Sequence, residues 1–185
     1  MVAWLLIGIA ALIALVIIIF IYYYNRFVVL ENRIDNSLAQ IDVQLKKRAD
    51  LVPALVKVVK GYAKHEKGIM DAVSKARSDL VGAGNVAEKI KAGDMLQNAL
   101  GRLFAIAENY PNLKANENFL QLQNELSAIE DKIAYSRQYY NDSVLELENA
   151  SERFPGVFFF NLYGRKKKEF LKIPQSAKEM PEIDL

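Results

Sequence analysis

The sequence predicts an all-α protein: an N-terminal transmembrane helix followed by an antiparallel bundle of four long helices. Three observations carry that expectation. Residues 2–21 hold no charge and no strong polar group. Beyond them, apolar residues recur at steps of three or four, the spacing of one helix face. The breaks between these stripes are short, which makes successive helices antiparallel neighbours.

The anchor comes first. At about 1.5 Å per residue, the apolar run makes a helix roughly 30 Å long, the thickness of a bilayer's hydrocarbon core. Trp4 lies near one end and Tyr22, Tyr23 and Tyr24 at the other, as in an aromatic belt. A cleavable signal peptide would need a basic start, a shorter apolar stretch and a small-residue cleavage site. The run leads instead into YYYNRF, so a single-pass anchor over residues 1–25 is expected. Arg26 and Arg33 closely follow it, partly offset by Glu31 and Asp35. The positive-inside tendency then puts the N-terminus outside the cell (inner) membrane and the bundle in the cytoplasm.

Residues 26–155 are read as the bundle. Phe27, Leu30, Ile34, Leu38, Ile41 and Leu45 form the first stripe, on a helix that continues the anchor. Asp50 reads as the cap of a second helix with Pro53 in its first turn. Leu51, Leu55, Val58, Tyr62, Ile69, Val73, Ala76 and Leu80 are its stripe, ended by Gly82 and Gly84. A third helix over about 86–107 uses Ile90, Leu96, Leu100, Leu103 and Phe104. Tyr110-Pro111 breaks the chain again, and Asn116 caps the longest helix. There Phe119, Leu122, Leu126, Ile129, Ile133, Tyr140, Val144 and Leu147 make a coiled-coil-like heptad seam, with Ser136 in its one gap.

An even number of helices returns the chain toward the bilayer after about residue 153. Residues 156–185 form an aromatic, basic segment and tail. Phe158, Phe159, Phe160 and Tyr163, followed by Arg165, Lys166, Lys167 and Lys168, suit insertion beside anionic lipid head groups. Alternatively, the aromatics pack onto the bundle's end and the lysines are simply solvated.

Little in the sequence points to chemistry. Lys and Arg number 24 against 22 Asp and Glu, without the basic excess of a nucleic-acid binder. Cysteine is absent and His65 is the only histidine. Sites needing a thiolate or paired imidazoles are thereby excluded, and no metal or cofactor is expected. No phosphate-cradling Gly loop, activated serine or dinucleotide fingerprint is present, so no catalytic residue is assigned.

Three sets of polar residues remain. Lys57, Lys60, Lys64 and Lys67 share one face of the expected second helix; such a stripe is ordinarily solvated, though an acidic partner would also suit it. His65 falls on or beside that helix's buried stripe, where a lone imidazole is usually packed. Asp42, Arg48, Arg77, Glu130 and Arg137 lie close to the apolar seams, where buried pairs would set helix register.

The segments IDVQLKKRADLVP (41–53), VVKGYAKHE (58–66), ENYPNLKANENFLQLQ (108–123) and RQYYNDSV (137–144) resemble the hallmarks of the LemA family. FP at 154–155 and the late MPEIDL are similar to that family's ending, although FFFNLYGRKKKEF is more aromatic and basic than expected. The resemblance implies a membrane-anchored protein with a bundle of four long helices and no established enzymatic activity. Some relatives occur in magnetosome membranes; others are encoded beside membrane peptidases. It also marks Asp42, Gln44, Arg48, Asp50, Gly61, His65, Glu66, Arg77, Tyr110, Lys114, Gln123, Glu130, Arg137 and Asn141 as partner-binding or structural positions.

The expected function is a non-enzymatic scaffold or adaptor that tethers a membrane or cytoplasmic protein partner. The alternative is a lipid-binding or membrane-organising protein acting through residues 157–168, with anionic lipid as partner. An enzyme using the buried charges is the least supported reading. Ala10 and Ala14 offer a small-residue step too common to predict the homo-oligomer it allows.

Overall fold

The computed structural model describes residues 1–172, and within them all regular structure is helical. The helices are α1 (Val2–Tyr62), α2 (Lys67–Gly82), α3 (Val86–Ala107), the single turn α4 (Pro111–Lys114), α5 (Glu117–Glu152) and α6 (Gly156–Leu162). Two compact units emerge. One joins Met1–Ser37 to Gln138–Leu171, and the other is built from Leu38–Arg137. MPEIDL lies outside the described residues.

The start of α1 is the one helix among the described residues long and apolar enough to cross a membrane. Its most apolar window has a mean hydropathy of 3.2 and no residue buried by protein. In water such a surface would be strongly unfavourable; in hydrocarbon it needs no protein partner, because the helix satisfies its own backbone.

In the first unit, Phe27, Leu30 and Ile34 of α1 are buried, as are Tyr140, Val144, Leu147 and Ala150 of α5. The chain after α6 is tied down by main-chain contacts. Tyr140 donates its hydroxyl to the Glu169 carbonyl at 2.9 Å, and Asn141 both donates to and accepts from the Leu171 backbone.

The second unit corrects the expected helix break. No helix starts at Asp50, which is exposed within α1, and Pro53 lies inside the helix. The reason is visible in the core: Ile41, Leu45, Ala49, Val52, Val56, Val59 and Ala63 form one continuous buried stripe. A break at Asp50 would throw that stripe out of phase. Pro53 still removes the N–H that would reach the Ala49 carbonyl. Arg77 of α2 replaces it, donating Nε–H to that oxygen at 2.8 Å. The true turn spans residues 63–66. In consequence the expected stripe shifts: Tyr62 is exposed and Val58 half-buried, with Val59 and Ala63 buried instead.

The remaining boundaries follow the sequence closely. Asn85 caps α3, its Oδ1 accepting from the Glu88 N–H at 2.9 Å, while the Glu88 carboxylate accepts from the Gly84 N–H. Pro111 opens α4, where its missing N–H leaves no bond unmade. Asn116 caps α5 by accepting from the Phe119 N–H at 3.0 Å. Along α5 the expected seam is buried at Phe119, Leu126, Ile129, Ile133, Tyr140, Val144 and Leu147, and half-buried at Leu122 and Ser136.

Candidate functional site

The second unit contains a buried layer of charge. Arg48 is 2 % exposed, yet it carries a guanidinium that must be neutralised. It pairs with Glu130 of α5 and points a second nitrogen at the Gly93 carbonyl of α3, at 3.5 Å. Arg137 reaches Asp94 of α3 at 2.6 Å. Burial, then the neighbouring charge of Arg137, lowers the pKa of Arg48 to about 10, with Asp94 opposing; the group stays cationic at neutral pH. Gly93 makes the close approach possible. A Cβ there would sit 2.5 Å from Leu45 Cδ2.

Asp94, Gly93 and Lys89 escaped the sequence reading. Nothing in the spacing of the third helix marks Gly93 as a close approach or Asp94 as Arg137's partner. Lys89 bonds to Asp42 at 2.7 Å, both half-exposed. That pair, with Arg77, Asp50 and the apolar Leu45 and Leu80, borders a cavity of about 250 Å³. Gln44 is buried beside this region of α1, and Gln123 is half-buried on α5.

A second group of expected residues meets at the α1–α2 turn. His65 is exposed there, not on a buried stripe, because the helix has already ended at Tyr62. For the same reason the four lysines do not share a helix: Lys57 and Lys60 close α1, Lys64 lies in the turn and Lys67 opens α2. The Tyr110 hydroxyl donates to Glu66 at 2.9 Å. This bond, then desolvation, raises the tyrosine pKa. Asn116 donates to the Tyr62 hydroxyl at 3.1 Å, bringing the start of α5 to the end of α1. Lys114 is exposed nearby in sequence, at the end of α4. Between α1 and α5 runs an open groove of about 600 Å³, lined by Lys57, Val58, Gly61, Tyr62, Asn118 and Gln121 among others. Gly61 has nothing within 4 Å of where a Cβ would stand, so it leaves the groove wall low and its backbone accessible.

The aromatic, basic segment lies in the first unit. Phe159 and Phe160 are buried, stacked or edge-on against Tyr23 and Phe27 of α1. Tyr163 donates to the Phe20 carbonyl at 2.7 Å. Phe158 faces out, 63 % exposed. Arg165 pairs with Glu31 and lies over the Tyr24 ring; Lys167 pairs with Glu152 at 2.6 Å and Lys168 approaches Asp35 at 3.9 Å. Lys166 is exposed.

The sequence model of the LemA family matches residues 37–185. The chain belongs to the LemA family. Among curated relatives, this LemA-family chain is 25 % identical over 173 residues to "Magnetosome protein MamQ" of Magnetospirillum gryphiswaldense, a match covering 80 % of the chain and 64 % of the relative. "Magnetosome protein MamQ 2" of Paramagnetospirillum magneticum is 24 % identical over 175 residues, with the same coverages of 80 % and 64 %. "Protein LemA" of Metamycoplasma hominis is 29 % identical over 115 residues, covering 60 % of the chain and 51 % of that protein. The chain thus spans less than two thirds of the length of each of these relatives.

Proposed function

We propose that this LemA-family chain is a membrane-anchored, non-enzymatic scaffold that holds one protein partner at the cell membrane. In this reading the apolar start of α1 spans the bilayer with its N-terminus outside. The rest of α1 forms, with α2, α3 and α5, a cytoplasmic antiparallel bundle of four. Its mechanism is tethering, which raises the partner's local concentration without chemistry.

The observation that carries the proposal is the distribution of polar groups. The buried guanidinium groups are paired with part-exposed carboxylates, Arg48 with Glu130 and Arg137 with Asp94, as in a register-setting layer. The polar groups of the α1–α2 turn, by contrast, are outward: Lys64 and His65 are exposed beside the groove at Gly61 and Tyr62. An adaptor needs both, a rigid interior and a recognisable surface. Arg26 and Arg33 support the orientation, since they follow the apolar run directly. Two of the relatives are named as magnetosome proteins, and neither name refers to an enzymatic activity.

A photo-reactive residue at Lys64, activated in cells and followed by mass spectrometry, tests the reading. One dominant protein adduct is expected. Adducts only to the chain itself or to lipid would instead favour self-assembly or membrane organisation.

A further inference from the structure

Apart from the exposed Asn161, the helix α6 is apolar on both faces. Gly156, Phe159 and Phe160 are buried. On the other side Val157, Phe158 and Leu162 are 38, 63 and 58 % exposed, and Phe154 in the preceding turn is 88 % exposed. A short helix with so little polar surface is ordinarily enclosed by protein or lipid. Its inner face is fastened to a particular stretch of α1. Phe159 packs on Phe20 and Tyr23, Phe160 on Phe27, and the Tyr163 hydroxyl bonds to the Phe20 carbonyl. Phe20 is the second-last residue of the uncharged run at 2–21. Residues 20–27 of a helix cover roughly 10 Å along its axis, about the depth over which an interfacial helix buries its apolar face.

We propose that the outer face of α6, formed by Phe154, Val157, Phe158 and Leu162, is seated in the bilayer interface and fixes the depth of the anchor. The inference rests on the reading of residues 2–21 as a membrane span. If that segment lies in hydrocarbon, α6 lies at its boundary, because the two are bonded together. The seat is hydrophobic, not electrostatic. Arg165, Lys167 and Lys168 meet Glu31, Glu152 and Asp35, which offsets three of the run's four charges and leaves the exposed Lys166 to face head groups. Four apolar side chains continuous with an apolar span fit a lipid surface in a way that a soluble partner's polar rim would not.

The test uses the full chain in vesicles of zwitterionic lipid with brominated acyl chains. Two single-tryptophan forms are compared: the native chain with Trp4, and Trp4→Phe combined with Phe158→Trp. The second is expected to show blue-shifted emission and loss of fluorescence to the brominated chains, equally at low and high salt. Retention of the chain after carbonate washing, with Trp4 quenched, reports the span independently. A retained chain whose tryptophan at 158 emits as in water and is unquenched overturns the seat and leaves the span standing. Blue-shifted but unquenched emission means protein covers the face, and overturns it too. Quenching abolished by salt, or by Lys166→Glu, which leaves the pairs of Lys167 and Lys168 intact, would make the contact electrostatic and overturn the proposal as stated. Release by carbonate overturns the span and the seat together.

Discussion

Pro53 and Arg77 show how a single residue's defect is repaired from another helix. The proline leaves the buried Ala49 carbonyl without its intrahelical donor, and Arg77 supplies one. Arg77→Met should therefore destabilise the chain by about 1–3 kcal/mol, the usual effect of orphaning a buried carbonyl. In a Pro53→Ala background, where the helix supplies its own N–H, most of that loss should vanish. A double-mutant cycle by thermal unfolding of the detergent-solubilised chain measures the coupling, and additive effects would deny it. Arg48 poses the complementary case, a buried cation that needs its acid. Glu130→Ala removes its direct partner and should cost about 2 kcal/mol, less than a fully buried pair because Glu130 is part-exposed and Asp94 still acts on the cation, whereas Arg48→Met with Glu130→Leu should recover most of the loss. At the turn, the Glu66 bond holds the Tyr110 pKa above its ordinary value of 10.0. The folded pKa is the higher one, so the contact's contribution is complete below pH 10.0 and is lost as pH rises through the folded value. Glu66→Ala should accordingly bring the tyrosinate absorbance midpoint of Tyr110 down toward 10.0, with Tyr110→Phe as the blank.

At the scale of elements, what could be read from the chain depended on whether the signal was local. Caps are local, and Asn116 and the Tyr110-Pro111 break fall where their chemistry puts them. The α5 seam is likewise local, a repeat of one helix's own residues. The end of α1 was misread because Asp50 and Pro53 imitate a helix start. Their local preference is overruled by a stripe from Ile41 to Ala63 and by a donor on α2, neither of which lies within one helical turn. The same limit hid Gly93 and Asp94, whose meaning lies in Leu45, Arg48 and Arg137. Gly93→Ala should lower stability by about 1–3 kcal/mol through overpacking, and Leu45→Val should relieve part of it. Equal stability of Gly93→Ala and the parent on thermal unfolding would mean that α1 and α3 have room to part. Among the expected surface residues, Gly61, His65 and Glu66 do lie together at one turn, since they are neighbours in sequence. Their link to Tyr110 and Asn116 came from the fold.

For the whole molecule, the long apolar N-terminal helix was the most legible feature. Twenty uncharged residues in a row are a statement about solvent, and no tertiary contact is needed to read it. Any partner is the least legible, because a recognition surface is defined by what covers it. Tethering, as proposed, would concentrate this chain on one partner at the membrane. The most direct test compares the Lys64 crosslink yield in three forms: the full chain, a chain lacking residues 1–25, and a chain whose span is replaced by an unrelated one. Equal yield is expected from the full and replaced forms, with a loss of at least about tenfold on deletion, from the fall in effective concentration. Full crosslinking by the anchorless chain would contradict tethering, and loss with the replaced span would move recognition into the membrane segment itself.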